Sequence, residues 1–524
     1  MLTFLSDEEQ EKLQCRLAEV LEQAPSGLAP GCPSGCEVEV KPLAKETAAT
    51  VRKGLALAVI MIGVLIAAVD TTIVILALPT MRADLHVGFA SVIWIVLGYL
   101  LVITLLATQV GRLGDMFGRV RMYEMGFAVF VVGSVLCALS WNEASIVAFR
   151  ILQGVGGAFI SANSGAIIAD IFPPNERGRA YGYNSIGWNA GAVVGILAGG
   201  LLVTFLSWRW IFWINVPIGI VALVVAFYAL PADRGFGKRG LDVLGMATLG
   251  AALFSLLYGM VRLTSSSLNP ATTEWLVGGL VLLFIFVLVE RATKDPMVHL
   301  SLFRVPMLTP SFLASFFQGL ANFAVLFLIT MYLQGVRALS PLDAALLLIP
   351  GYLVGSATAP ISGRLADLVG PVIPATVGLA IQVVALLLYA QLGVATPLWA
   401  VSAISMVNGL GSGGFFPANS SAVMKVAPPG VFGLASGMLR TFQNVGMVFS
   451  FSMALLVAAR AVTQRLAFQI FVGTTVLSRA ADDAFLRGIH AALYASVAAF
   501  LVAAVLSGMR GVRRSPGGNS SVAG

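Results

Sequence analysis

The sequence has few charged residues. Only 11% of its 524 residues are charged and 58% are hydrophobic, whereas an average soluble domain has roughly 25% charged residues. A soluble chain of this size could not bury so much apolar surface, so the composition predicts a polytopic membrane protein. The net charge of +7 is expected to set topology through short basic loops, and no nucleic-acid partner is expected.

Cysteine and histidine are also scarce. Four cysteines are too few for a disulfide framework. Cys32 and Cys36 lie in the stretch GCPSGCE, where a metal site is a lesser alternative because no histidine lies nearby. Neither an HExxH motif nor a GxxxxGK[ST] phosphate loop occurs, which argues against a metal-dependent enzyme and against an ATP-driven pump. We expect no enzymatic activity, no metal and no cofactor.

Long apolar runs dominate the rest of the chain. About fourteen of them reach the roughly 20 residues that a helix needs to cross a bilayer. They lie at 54–80, 89–111, 121–140, 144–170, 179–205, 209–230, 241–262, 274–292, 309–335, 344–368, 372–393, 396–424, 432–460 and 486–509. The polar segment 1–50 lacks the pattern of a signal peptide and is predicted to be a cytoplasmic tail, as is the flexible segment 510–524.

The distribution of basic residues predicts the orientation. Loops after even-numbered runs hold clusters such as Arg112, Arg119 and Arg121, whereas loops after odd-numbered runs hold mostly single basic residues. The long loop after the thirteenth run is the exception. By the positive-inside rule the even-numbered loops and both termini are cytoplasmic.

One pattern occurs twice. GRLGDMFGR begins at Gly111 after the second run, and GRLADLVGP begins at Gly363 after the tenth. Both copies fit G-R-L-x-D-x-x-G at matched loops, which predicts two six-helix halves at 51–230 and 301–509. Two further helices would be inserted between them at 231–300. Repeated halves that rock around a central site are typical of secondary transporters.

Several stretches resemble the major facilitator superfamily. GRLGDMFGRVR (111–121) is similar to its cytoplasmic loop signature and RILQGVGGAF (150–159) to its fourth-helix motif. DTTIVILALP (70–79) and WRWIFWINVPIG (208–219) resemble stretches of its fourteen-spanner drug–proton antiporters. The resemblance, over about residues 50–510, implies an all-α membrane protein with a major-facilitator-type fold. Two six-helix halves and two extra central transmembrane helices would form it.

Two ionisable residues inside apolar runs are the candidates for proton coupling, because charges at membrane depth are costly and usually functional. Asp70 lies about 24 Å along a helix from Gly54, past the midplane. It is predicted to carry a proton or recognise a cation while facing the cavity. The alternatives are that Asp70 forms a structural pair with Arg440 or an amide, or that it is an incidental hydrated residue. The resemblance implicates Arg150 in proton coupling, and outward snorkelling is its alternative.

A second group of residues is predicted to form a cytoplasmic gate. Ion pairs across these loops would hold one conformation and break in the other, and the alternative is that the charges only fix topology. The gate set is Gly111, Asp115, Gly118, Arg119, Asp170, Arg177, Arg179, Gly363 and Asp367.

The fifth run carries a glycine stripe at Gly187, Gly191, Gly195 and Gly199, followed by Gly200. Because four residues turn a helix by about 400°, these glycines share one slowly winding face that permits close helix packing. The resembled antiporter motif has proline at the position of Ile196, so we expect a straighter helix here. It also has asparagine at the position of Ile75, so part of the expected polar surround of Asp70 is missing.

Polar residues of both halves are candidates for a substrate cavity. They are Gln153, Asn189, Gln318, Asn322, Tyr332, Asn408, Arg440 and Asn444. Together these features predict a proton-coupled exporter of small amphipathic or cationic compounds, monomeric and embedded in the cell membrane. An importer or facilitator on the same fold, or a transport-fold sensor, are the alternatives.

Overall fold

The computed structural model describes most of the apolar region of the chain. The described residues are 53–85, 94–231, 240, 242–265, 269–294, 296, 303, 305, 307–427, 431–461 and 479–510. The predicted tails 1–50 and 511–524, the cysteine pair and most of the loop after the thirteenth run lie outside them.

Fifteen α-helices lie in the described part of the chain. Their bounds are α1 Lys53–Leu85, α2 Trp94–Phe117, α3 Arg119–Ala138, α4 Glu143–Ile171, α5 Arg177–Phe205, α6 Trp210–Trp213, α7 Asn215–Ala229, α8 Val243–Ser265, α9 Pro270–Ala292, α10 Leu308–Met331, α11 Pro341–Leu368, α12 Val372–Tyr389, α13 Leu398–Val426, α14 Phe432–Ala461 and α15 Arg479–Met509. The short α6 and α7 together fill the sixth predicted run, and α10 continues into a π-helical turn at Tyr332–Val336.

A helix lies in each of the fourteen predicted runs. By length and composition, twelve helices in the described ranges are able to cross a membrane. The two other predicted spans, α13 and α14, are 29 and 30 residues long but are not among these twelve. Glycine, serine and asparagine interrupt the apolar character of α13. The count of fourteen spans stays a prediction.

The helices pack both within and between the two predicted halves. In the first half α1 packs on α5 and α3 on α4, and in the second half α11 packs on α13 and α10 on α14. Between the halves α5 packs on α11 and α2 on α14. The inserted helices α8 and α9 pack on each other, and α8 also contacts α14 and α2. The most extensive contacts between the halves are therefore made by α2, α5, α11 and α14, and α4 and α13 also take part.

Candidate functional site

A buried ion pair joins α1 to α4. Asp70 is 0% exposed, and its Oδ2 accepts a hydrogen bond from Arg150 Nη1 at 2.7 Å. Arg150 is itself only 1% exposed, so it does not snorkel outward. The alternative in which Asp70 pairs with Arg440 is also wrong, because Arg150 occupies that role.

Polar groups from other helices complete this cluster. Asp70 Oδ1 accepts from Gln153 Nε2 at 2.9 Å and from Asn215 Nδ2 at 3.3 Å. Arg150 donates from Nη1 to Gln153 Oε1 at 2.6 Å and from Nε to the carbonyl of Ile95 at 3.1 Å. Buried charges are tolerated when their remaining donors and acceptors are satisfied in this way. The pair therefore ties α1, α2, α4 and α7 together.

Tyr99 stands between the ion pair and a central cavity. The Arg150 guanidinium carbon lies 4.2 Å from the centre of the Tyr99 ring, a cation–π contact. Tyr99 also lines the cavity, and its buried hydroxyl has no hydrogen-bond partner among the described residues. Thr71 and Thr72 line the cavity, whereas Asp70 does not. The expectation that Asp70 faces the cavity is wrong, because its carboxylate turns toward α4 while its helix neighbours reach the lining.

The cavity has a volume of about 230 Å³ and is lined by helices from both predicted halves. Most of the predicted cavity residues line it, namely Asn189, Gln318, Asn322, Asn408, Arg440 and Asn444. Gln153 and Tyr332 lie elsewhere: Gln153 bonds to Asp70, and the Tyr332 hydroxyl donates to the carbonyl of Gly393 at 2.9 Å. None of the described lining residues is an acid, so the lining offers a cationic compound no carboxylate.

At the predicted cytoplasmic end, Arg119 bridges two carboxylates. Its Nε donates to Asp115 Oδ1 at 2.8 Å, and its Nη1 is ion-paired with Asp170 at the end of α4. Arg177 makes a different set of contacts from those expected of a gate ion pair. Its hydrogen bonds to described residues all go to backbone carbonyls, including those of Ala169 at 2.7 Å and Met424 at 2.9 Å. Arg119 thus ties α2 and α3 to α4, while Arg177 ties α5 to α4 and α13.

The two repeated aspartates bind backbone groups of the opposite half. Asp115 accepts from the N–H groups of Gly433 and Leu434, both at 2.9 Å, in the first turn of α14. Asp367 accepts in the same way from Arg179 and the residue before it, also at 2.9 Å, in the first turn of α5. First-turn N–H groups lack partners within their helix and favour a negative charge. Each aspartate therefore holds one half against the other.

Glycines make these two contacts sterically possible. A Cβ on Gly111 would lie 2.1 Å from the carbonyl oxygen of Gly433, and a Cβ on Gly363 would lie 2.0 Å from that of Gly178. The final glycine of the first copy, Gly118, has a φ of 105°, a conformation that L side chains rarely adopt. The second copy has the same feature at its final glycine, with a φ of 92°. The helix pairs α2–α14 and α5–α11 are therefore in direct backbone contact at these glycines.

The glycine stripe of α5 packs against α1. A Cβ on Gly187, Gly191 or Gly195 would lie within 2.9 Å of a carbonyl oxygen of α1. Gly199 is buried. Beyond the stripe, the nearest atom to a Cβ on Gly200 is 4.0 Å away. With isoleucine at the position of the motif's proline, α5 runs without a break from Arg177 to Phe205. The stripe thus joins the helix that carries Asp70 to a helix that crosses between the halves.

Alanine at Gly195 is expected to destabilise the protein, whereas alanine at Gly200 is not. A Cβ at Gly195 would lie 2.0 Å from Thr72 Oγ1 and 2.9 Å from the carbonyl oxygen of Val69. Overpacking of this kind costs about 1–3 kcal/mol. Thermal unfolding of the purified variants in a neutral detergent measures the difference. Equal melting temperatures for Gly195→Ala and Gly200→Ala would contradict the close α1–α5 contact.

Two predicted helical halves around a central cavity are typical of secondary transporters. The family model described as Major Facilitator Superfamily matches residues 60–451. The chain belongs to this superfamily and is a multi-pass membrane transporter protein.

Curated relatives and a solved structure agree with this assignment. The chain is 31% identical to the tetracenomycin C resistance and export protein of Streptomyces glaucescens, over 74% of this chain and 72% of the relative. It is 29% identical to a riboflavin transporter of Clostridioides difficile, over 75% and 86% of the two chains. The crystal structure of the human organic anion transporter MFSD10 shares the fold, with a TM-score of 0.60, 16% identity, and coverage of 87% and 99%.

Sequence reasoning missed several residues of the site. Tyr99 and Asn215 contact the ion pair, and Asn184 lines the cavity. Asn215 lies within WRWIFWINVPIG, the stretch that resembles the antiporter subfamily, so its polarity inside an apolar run was an available signal. No signal in the sequence marked Tyr99, because an aromatic residue in a spanning helix is ordinarily a packing residue.

Proposed function

We propose that this chain exports small amphipathic compounds in exchange for protons, by alternating access in the cell membrane. The observation that carries the proposal is the buried Asp70–Arg150 pair, which the ring of Tyr99 separates from the central cavity. Fourteen spans, cytoplasmic termini, a monomeric state and membership of the drug–proton antiporter subfamily belong to the same proposal. The export function named for the Streptomyces glaucescens relative supports the direction of transport.

The chemistry begins with the protonation of Asp70. A proton on this carboxylate removes its charge, so Arg150 loses its electrostatic attraction to Asp70. Gln153 and the carbonyl of Ile95 already accept hydrogen bonds from Arg150, and the Tyr99 ring packs against it. The arginine therefore keeps contacts on α2 and α4, while α1 loses its charged link to α4.

A change at α1 has a direct mechanical route to the gate. The glycine stripe packs α1 against α5, and α5 meets α11 where Gly178 and Gly363 touch. Asp367 holds that same crossing through the first turn of α5. We infer that α1 and α5 move together, so that protonation of Asp70 biases whether the predicted cytoplasmic end is closed. This end is then the two-state element on which the proton and the substrate both act.

Inside-out vesicles test the exchange. Vesicles containing the chain are energised with an interior-acid proton gradient, and tetracenomycin C and riboflavin, taken from the names of relatives, are included in the panel of added compounds. A transported compound is expected to dissipate part of the gradient, measured by recovery of acridine-orange fluorescence, and vesicles without the chain provide the baseline. Uptake into right-side-out cells would instead favour the importer, and binding without movement would favour the sensor.

A further inference from the structure

Among the described residues that line the cavity, Arg440 is the one with a charged side chain. It lies on α14 and is half-buried. The remaining described lining is made of amide, hydroxyl, aromatic and aliphatic side chains, with no aspartate, glutamate, lysine or histidine. The wall of the cavity therefore carries one positive charge.

That charge has no counter-ion among the described residues. Arg440 Nη1 donates to Gln443 Oε1 at 3.2 Å, its one hydrogen bond there, and no described carboxylate pairs with it. Arg150 and Arg119 differ from it, since Arg150 is paired with Asp70 and Arg119 with Asp115 and Asp170. A guanidinium presents five N–H donors in a fork that fits a carboxylate. Most of the donors of Arg440 are thus available to a molecule in the cavity.

Gln318 on α10 offers a second recognition group. Gln318 is 0% exposed and lines the cavity, yet within the described ranges neither its amide nitrogen nor its amide oxygen has a hydrogen-bond partner. A buried amide without partners costs free energy that a bound ligand can return. Its neighbour Gly319 brings α10 against α14, since a Cβ there would lie 2.4 Å from the carbonyl oxygen of Gln443. The helix that carries the amide, α10, is therefore in direct contact with α14, the helix that carries the cation.

Further unpartnered polar atoms point to a ligand with several hydrogen-bonding groups. The Tyr99 hydroxyl, Asn184 Oδ1 and Asn419 Oδ1 are buried without a hydrogen-bond partner in the part of the chain that the structure describes, and all three residues line the cavity. Trp188 and Phe416 supply aromatic surface in the same lining. Apolar walls with a few polar groups that fix orientation are typical of small-molecule sites.

We propose that this cavity selects amphipathic ring compounds that carry one anionic group, such as a carboxylate or an ionised phenol. Arg440 binds the anion, Gln318 binds a hydrogen-bonding group of the ring system, and the aromatic walls contact its apolar face. The inference rests on the proposed function in that it takes this cavity to be the transport site. It replaces cationic compounds with anionic ones as the preferred cargo.

A matched set of probes tests the charge preference. The purified full chain in neutral detergent is titrated with 2-naphthoate, 2-naphthamide and 2-naphthylmethylammonium, which share one ring system and differ in charge. Binding is followed by microscale thermophoresis. We expect 2-naphthoate to bind at least tenfold more tightly than the ammonium compound, with the amide between them. Equal or tighter binding of the ammonium compound would overturn the proposal.

Variants of Arg440 test whether this residue causes the preference for the anionic probe. Arg440→Gln is expected to weaken 2-naphthoate binding at least tenfold and to change 2-naphthamide binding less than threefold, while Arg440→Lys keeps most of the preference. Arg262→Gln removes the same charge from α8, outside the cavity lining, and serves as the matched control. Unchanged 2-naphthoate binding in Arg440→Gln would overturn the assignment. If Arg440→Gln does not fold, Arg440→Lys provides the test. The assignment would then be overturned if Arg440→Lys bound 2-naphthoate no more tightly than 2-naphthylmethylammonium.

These titrations contain no proton gradient, so their outcome is independent of proton coupling. If the chain binds anions selectively but fails the vesicle assay, the proposed exchange is wrong and the substrate class stands. If gradient-driven transport occurs but favours cations, the substrate class is wrong and the exchange stands.

Discussion

Asparagine in place of Asp70 is expected to abolish proton-driven transport while leaving the protein folded in the membrane. Asparagine has nearly the shape of aspartate but cannot gain or lose a proton at physiological pH. Its amide oxygen can still accept from Arg150 or Gln153, the groups that now donate to Asp70. Gradient-driven export in inside-out vesicles should fall to the level of vesicles without the chain. Binding of 2-naphthoate should change less than threefold.

The matched control is Asp84→Asn on the same helix. Asp84 lies near the C-terminal end of α1 and pairs with Arg209 at 2.6 Å, with 49% of its side chain exposed. A surface ion pair of this kind contributes about 0–1 kcal/mol, so this variant should keep coupled transport. The amount of each variant in the membrane is compared by size-exclusion chromatography. Full proton-driven export by Asp70→Asn would remove Asp70 from the mechanism.

Alanine at Gly111 is expected to prevent closure of the predicted cytoplasmic end. The new Cβ would lie 2.1 Å from the carbonyl oxygen of Gly433, and backbone on both sides cannot yield as a flexible side chain can. Destabilising the closed state by about 1–3 kcal/mol shifts the conformational equilibrium by about tenfold per 1.4 kcal/mol. A cysteine at Ser436, which is 3% exposed in this structure, reports the change. Membrane-impermeant maleimide should label it faster in Gly111→Ala, and transport should fall at least tenfold.

Gly54→Ala is the control for this prediction. Gly54 also lies in a predicted spanning helix, but no atom of the described residues would come within 4 Å of its Cβ. Labelling is measured in a chain whose native cysteines are replaced by serine, from the side predicted to be cytoplasmic. Equal labelling rates at Ser436→Cys in the Gly111→Ala and Gly54→Ala chains would show that the Gly111–Gly433 contact does not control access.

The sequence predicted the positions of the helices and of the costly charges. Each apolar run contains its own signal, because length and hydropathy are local properties, and a helix lies in every run. Asp70 and Arg150 stood out for the same local reason, since each interrupts hydrocarbon. Their pairing was not predicted, because the direction in which Asp70 turns depends on how α1 and α4 rotate against each other. That rotation is set by packing with other helices.

The partners of the repeated aspartates could not be found by inspecting residue types. The G-R-L-x-D-x-x-G pattern predicted matched loops in the two halves, and both final glycines have a positive φ. Asp115 and Asp367, however, bind backbone N–H groups of the opposite half. A backbone donor leaves no signature in the sequence, so charge-pair reasoning directed attention to Arg177 instead. Arg177 binds carbonyls, which are equally invisible in sequence.

The isolated charge of Arg440 in the described lining has an electrical consequence. If the cargo is a monoanion exchanged for one proton, the cargo carries negative charge outward while the proton carries positive charge inward. Both movements then run down an interior-negative membrane voltage, which is worth about 2.3 kcal/mol per charge for each 100 mV. A monovalent cation exchanged for one proton would move no net charge. Arg440 would therefore make this exchange electrogenic, with voltage as a second driving force beside the pH gradient.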